Sequence, residues 1–225
     1  MLMVICMKKY NSLSYDEKID FFEGIAFDEN PYLWDMANDA DEDVRLYLAE
    51  KLANYKNVKS EQLLLHLISD QSDIIRANAS DSIYWSESTE VLNLLLVKAK
   101  NDMYLVRGYA ILSIADILSN LNDDSYMKDL NELYLKEKSL WTRMCYYQSF
   151  YRLGLEKYLD LLISSLCSKK YNYRIAAVNF LFDIVNETNK SKILRALNQH
   201  LITEKCETII QLVKEKITKV ENMNF

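Results

Sequence analysis

Apolar residues recur along this chain at helical spacing, and five arginines mark the phase of the pattern. Val44-Arg45, Ile75-Arg76, Val106-Arg107, Thr142-Arg143 and Tyr173-Arg174 stand at matching places in successive segments. Three residues after each arginine comes Leu48, Ala79, Ala110, Tyr146 or Ala177, and seven after it comes Leu52, Ile83, Ile114, Phe150 or Leu181. Offsets of −1, +3 and +7 share one face of an α-helix, so each arginine sits on an amphipathic helix with its core stripe in register. Six residues before the arginines stand Asp39, Asp70, Asn101, Glu137 and Ser168, residue types that favour turns and helix caps.

A second set of helices is expected between these, at 61–69, 89–100, 126–136 and 155–167, each rich in leucine at helical spacing. Ser60, Ser88 and Ser125 are placed to cap three of them, and Asn30-Pro31 to open an earlier one. Gly154 reads as the left-handed stop between two helices. A weaker final pair is expected at 190–202 and 204–218, with Ile210-Gln211 in place of the hydrophobic-arginine pair. Helix pairs repeated at a fixed period bury their apolar faces only by stacking on one another.

The aspartate followed six residues later by arginine, with an apolar residue before the arginine and a small one after it, resembles HEAT repeats. The best copies are Asp39-Ala40-Asp41-Glu42-Asp43-Val44-Arg45 and Asp70-Gln71-Ser72-Asp73-Ile74-Ile75-Arg76. The step between them is shorter than the about 40–47 residues of most such arrays. It looks more like the short bacterial HEAT-like repeats related to phycobilisome-lyase proteins. The resemblance implies an all-α, right-handed α-solenoid of about six helix pairs. It covers roughly 30–218, in a single domain over 1–225 whose first 29 residues form an N-terminal capping region. It also implies a structural role for Arg45, Arg76, Arg107, Arg143 and Arg174, bonded to turn carboxylates or carbonyls of neighbouring repeats. The interlock is expected to loosen at the end of the array, where Ser168 brings no acid.

Composition narrows the function. In 225 residues there are 3 glycines and 1 proline, too few for the left-handed turns of all-β or Rossmann-type folds. The net charge is −6, and the stretch Asp16–Glu50 is more acidic than the chain as a whole, with twelve acidic residues against Lys18 and Arg45. Such a surface repels phosphate backbones and favours basic partners. Cys6, Cys145, Cys167 and Cys206 form no pair at metal-ligand spacing, and His66 and His200 stand apart, so no metal or other cofactor is expected. Dispersed apolar cysteines and the lack of a spanning or cleavable leader point to a cytoplasmic protein without membrane association. Met1, Met3 and Met7 would each serve as a start. No phosphate loop, nucleophile elbow or metalloprotease motif occurs, so no enzyme is expected. The sequence leaves the oligomeric state open.

The face opposite the core stripe follows from offsets of +2, +5 and +9. In HEAT-like arrays that face of the second helix lines the concave surface, which brings Tyr47, Glu50, Asn78, Asp81, Trp85, Tyr109, Asp116, Gln148, Arg152 and Asp183 into the expected partner-binding groove. Aromatic anchors among carboxylates suit a non-enzymatic scaffold for a protein with a basic and apolar surface: a regulator, an assembly factor or an immunity-type inhibitor. The alternative is a nucleic-acid-binding relative of the HEAT-like alkylpurine DNA glycosylases, with Asp116 as the acid and Tyr109 and Trp85 nearby. Leu112 stands where that family has a tryptophan, and an acidic groove opposes DNA, so nucleic acid is not the expected partner. Lys169, Lys170, Lys190, Lys192 and Arg195 are the basic patch available to such a role. A tetrapyrrole lyase or chaperone is suggested only by the name of the repeat subclass.

The register makes one direct demand. Ala110 should be tightly packed, and replacing it with leucine should overpack the contact and cost about 1–3 kcal/mol. A thermal melt unchanged from the parent would show the helix register to be wrong.

Overall fold

The stripe set by the arginines is the core. Val44, Leu48, Leu52, Ile75, Ala79, Ile83, Val106, Ala110, Ile114, Thr142, Tyr146, Phe150, Ala177 and Leu181 are all buried, and Tyr173 alone is half-buried. The structure is a computed structural model that describes residues 10–225. Among those residues it has helices and no strands, so the fold is all-α, built of successive helix pairs. None of these helices is long and apolar enough to cross a membrane.

Two compact units divide the chain between Ser113 and Ile114. The first contains α1 (Tyr15–Glu23), α2 (Leu33–Ala37), α3 (Glu42–Leu52), α4 (Val58–Leu67), α5 (Asp73–Ser82) and α6 (Thr89–Asn101). The helix α7 (Tyr104–Leu121) contains the boundary. The second unit continues with α8 (Met127–Lys136), α9 (Leu140–Arg152), α10 (Lys157–Ser164), α11 (Tyr171–Asp183), α12 (Lys190–Thr203) and α13 (Glu207–Glu221).

Several helix ends differ from expectation for local reasons. Asn57, not Ser60, caps α4: its side chain accepts the Ser60 amide, and the Ser60 hydroxyl turns back on the Asn57 amide. Asn30 does act on the next turn, accepting the Tyr32 amide at 2.9 Å, but α2 starts only at Leu33 and lasts five residues. Ser125 is not a cap, since α8 opens behind Tyr126 without a side-chain bond. The last helix starts at Glu207, because Glu204 is used elsewhere. Ser88 caps α6 as expected, accepting the Glu90 amide. Gly154, at φ +88°, closes α9 with the Leu155 amide reaching back to the Phe150 carbonyl at 2.9 Å.

The repeat arginines hold the turns together, and the geometry shows how. In the first unit Arg45 Nε and Nη2 donate to the Asp70 carboxylate at 2.8 and 3.2 Å, while Nη1 donates to the Asp39 carbonyl at 2.6 Å. Arg76 repeats the arrangement with the Asp102 carboxylate at 2.9 and 2.7 Å and the Asp70 carbonyl at 2.9 Å. Each turn acid thus serves two arginines, by carboxylate for the repeat before it and by carbonyl for its own. Asp39 starts the series. Its carbonyl takes Arg45, but its carboxylate takes the buried Lys18 at 2.7 Å and the Tyr10 hydroxyl at 3.0 Å. Burial by itself would raise the pKa of Asp39, Asp70 and Asp102. Their cations and turn amides outweigh it and hold all three below the ordinary aspartate value.

In the second unit Arg174 meets the Glu204 carboxylate at 2.6 and 2.9 Å and the Ser168 carbonyl at 2.9 Å. Arg174 is the main reason that Glu204 titrates at about 2, helped by the amides of Cys206 and Lys205. The loosening expected at the end of the array falls one repeat earlier. Acceptors come from the following turn, so Ser168 deprives Arg143 rather than Arg174. Arg143 lies over the Tyr134 ring, 5.4 Å from its centroid, donates to the Tyr134 hydroxyl at 3.3 Å, and leaves Nε buried without a partner.

Two substitutions test this ladder. Arg45→Ala leaves the Asp70 carboxylate, 8% exposed, without its cation and should cost about 3–5 kcal/mol. Ser168→Asp offers Arg143 the missing carboxylate and should raise the melting temperature. Denaturant and thermal unfolding measure both; a parent-like Arg45→Ala together with a destabilised Ser168→Asp would refute the ladder.

Candidate functional site

Charge is arranged by the ladder before any site exists. Of the twelve acidic residues from Asp16 to Glu50, only Asp39 is buried; the other eleven are exposed. Lys18 and Arg45, the only cations of that stretch, are both buried in ion pairs. Its carboxylates therefore face solvent with no exposed cation among them. Two exposed aromatic residues accompany the stretch: Tyr15, just before it, at 39% exposure beside Asp16, and Trp34 within it at 45% beside Asp35, edge-on to His66 at 5.5 Å. Sequence reasoning missed both. The signal was present, since Leu33, Met36 and Ala37 take the buried side of α2 and leave Trp34 outside.

In the first unit the predicted residues take distinct roles. Glu50 and Asp81 are exposed. Tyr47 is half-buried, packs edge-on to Phe22 at 5.6 Å and donates its hydroxyl to Glu23 at 2.6 Å; Lys51 reaches the same carboxylate at 3.0 Å. Those two bonds hold the Glu23 carboxyl below its ordinary value. Beside them lies an open cavity of about 510 Å³ lined by Phe22, Glu23, Phe27, Lys51, Asn54 and Tyr55. Asn78 spends its amide on the Ile74 carbonyl at 3.0 Å, and Tyr109 is half-buried.

Trp85 requires a correction. It was expected on the same helix as Asp81, but α5 ends at Ser82 and Trp85 lies in the following turn. The run Ser80-Asp81-Ser82 has weak helix propensity, and the Ser80 and Asp81 carbonyls are taken by the Ser113 hydroxyl at 2.6 and 3.3 Å. Trp85 is half-buried there, its Nε1 enclosed and without a hydrogen-bond partner.

In the second unit Asp116 and Arg152 are brought together as an ion pair. Asp183, the last residue of α11, is exposed. Burial is the larger effect on both carboxyl groups and raises their pKa, although Arg152 pulls the other way. Gln148 is 2% exposed, so its side chain is not part of an open surface, contrary to expectation. Leu112, at the position relevant to the glycosylase alternative, is buried as well. Among the described residues no group of three or more His, Cys, Asp and Glu could hold a metal ion.

Comparison with known proteins identifies part of the chain. Residues 30–115 match the family of HEAT repeats. Among solved structures the chain is similar to the complex of CpcE and CpcF of phycocyanin lyase from Nostoc sp. PCC7120, with 16% identity and a TM-score of 0.43, covering 87% of this chain and 98% of that one. It is similar to YibA of Escherichia coli at 17% identity and a TM-score of 0.47, with 92% and 98% covered. A computationally designed armadillo repeat protein for modular peptide recognition gives 17% identity and a TM-score of 0.36, with 85% and 99% covered. No curated protein matches.

Proposed function

Starting from the HEAT repeats of residues 30–115, we propose that the chain is a non-enzymatic scaffold that binds a protein through acidic surfaces studded with aromatic residues. One observation carries the reading: eleven of the twelve carboxylates from Asp16 to Glu50 are exposed while both cations of that stretch are buried. A surface with this balance steers basic partners and repels phosphate. Tyr15, Trp34 and Tyr47 supply the half-exposed aromatic area from which binding hot spots are built. The repeats act as a single domain in this reading, and Tyr47, Glu50, Asn78, Asp81, Trp85 and Tyr109 belong to the partner-binding surface, with the regulator, assembly-factor or immunity-type role as its biological form.

The nucleic-acid reading is less well supported. Asp116 is engaged by Arg152, and of the basic residues, Lys192 pairs with Asp160 at 2.6 Å while Lys190 caps the carbonyls of Glu221 and Met223. A DNA-binding face needs cations free to replace counterions.

The test is affinity purification of the native protein, followed by binding measurements on the protein that co-purifies. Trp85→Ala should weaken it by about 2 kcal/mol or more. Asp81→Lys should slow association, with an effect that shrinks as salt is added. Parent-like binding by both variants, or nucleic acid retained through moderate salt in place of a protein, overturns the reading.

A further inference from the structure

The open cavity in the first unit is lined by polar groups that the fold leaves partly unused. Its wall of about 510 Å³ takes in the end of α1 and the turn from Gly24 to Phe27, with Lys51, Asn54 and Tyr55 from the end of α3 and the turn behind it. Both hydrogen bonds to Glu23, from Tyr47 at 2.6 Å and Lys51 at 3.0 Å, end on Oε1; among the described residues none reaches Oε2. The Glu23 side chain is 56% exposed, and the same two bonds keep it ionised. Asn54 is exposed as well, and among the described residues its side-chain amide makes no hydrogen bond. Phe27 stacks on Tyr55 with ring centroids 4.0 Å apart, and Lys59 lies over Phe27 at 5.6 Å while donating to the carbonyls of Phe27, Asp28 and Asn30. Phe27 is buried and Tyr55 half-buried, so Tyr55 is the accessible end of that pile.

A carboxylate oxygen without a donor, an unspent amide and an aromatic ring line one cavity that is open to solvent. Two helices also end there, and their carbonyl ends carry negative partial charge. A point-like ammonium would use the carboxylate, but a guanidinium also lies flat on a ring and forks between two acceptors. Phosphate would meet Glu23 with like charge. Glu23 is itself one of the eleven exposed carboxylates of the stretch that attracts a basic partner. Resting on the protein-binding reading above, we propose that this cavity is a subsite for one arginine side chain of that partner. Glu23 and Asn54 accept its N–H groups, and Tyr55 lies under its plane. Lys51 holds part of the place in the free protein: it is 39% exposed, bonded to Glu23 Oε1 and 5.0 Å from the Tyr47 centroid. It competes with the incoming cation for the field of Glu23 and so limits the affinity.

The probe is the peptide acetyl-Gly-Gly-Arg-Gly-Gly-amide, compared with its lysine and citrulline counterparts, titrated against the full chain and followed by NMR at the Asn54 side-chain amide. The arginine peptide should shift that signal saturably, and the lysine peptide should bind about threefold more weakly. Citrulline, flat but uncharged, should leave the signal in place. Glu23→Gln should lower the arginine affinity about tenfold, whereas Glu90→Gln, the same charge change at an exposed position of α6, should stay within about twofold. Lys51→Met should raise the affinity about threefold, a gain that impaired folding cannot imitate. Citrulline binding as well as arginine, equal effects of Glu23→Gln and Glu90→Gln, or a Lys51→Met variant that binds no better than the parent would overturn the subsite. If the co-purified partner responds to Trp85→Ala or Asp81→Lys but ignores Glu23→Gln, the subsite falls and the scaffold reading stands; if it ignores all three, both fall together.

Discussion

A guanidinium enclosed between helix pairs is costly to leave without acceptors. Stripped of water, its N–H groups need acceptors, and the turns supply them in a fixed division of labour: Nε and Nη2 to the carboxylate of the next turn, Nη1 to the carbonyl of its own. Asp70 shows why this sets register. Its carboxylate holds Arg45, its carbonyl holds Arg76, and a shift of either helix pair would break both bonds. The apolar stripe provides the stabilising burial, but leucines and alanines would tolerate sliding that a planar fork does not.

The same device shapes the surface. Because Lys18 and Arg45 are drawn into the turns, the acidic stretch presents eleven exposed carboxylates with no exposed cation within it, and Lys51, just beyond it, pairs with Glu23. The second unit is electrically different. There an arginine sits on the surface row itself, paired with Asp116 and acting on the exposed Asp183 through its charge.

Most of the fold was legible because it depends on spacing. Offsets of −1, +3 and +7 picked out the buried positions in every copy, with only the half-buried Tyr173 in deviation. The role of the arginines was legible too, but the direction of the bonding was not. The acid that serves each arginine lies in the following turn, so Glu204, at the start of the weakest repeat, went unassigned, and Ser168 was taken to loosen the wrong joint. The surface was read less well. Period alone assumed that α3 and α5 run as far as α9 and α11, whereas they stop short and leave Asn54 and Trp85 in turns. Nor does an offset say how deeply a polar side chain sinks. Gln148 occupies a groove position by count and is enclosed by its neighbours in fact.

The ladder holds its carboxylates below the ordinary range through its arginines and turn amides, and a pH titration of the side-chain carboxyl carbons by NMR reads this directly. A carboxylate held below its unfolded value stabilises the fold above that value, and the contribution is lost as pH falls through the folded pKa. Glu204 should therefore titrate near pH 2, and Asp39, Asp70 and Asp102 below the ordinary aspartate range, with unfolding following their protonation. Asp116 and Asp183 should titrate above that range in the same spectra. Ladder carboxylates that titrate together with the exposed acids of the chain would contradict the account, since their arginines would then not be holding them.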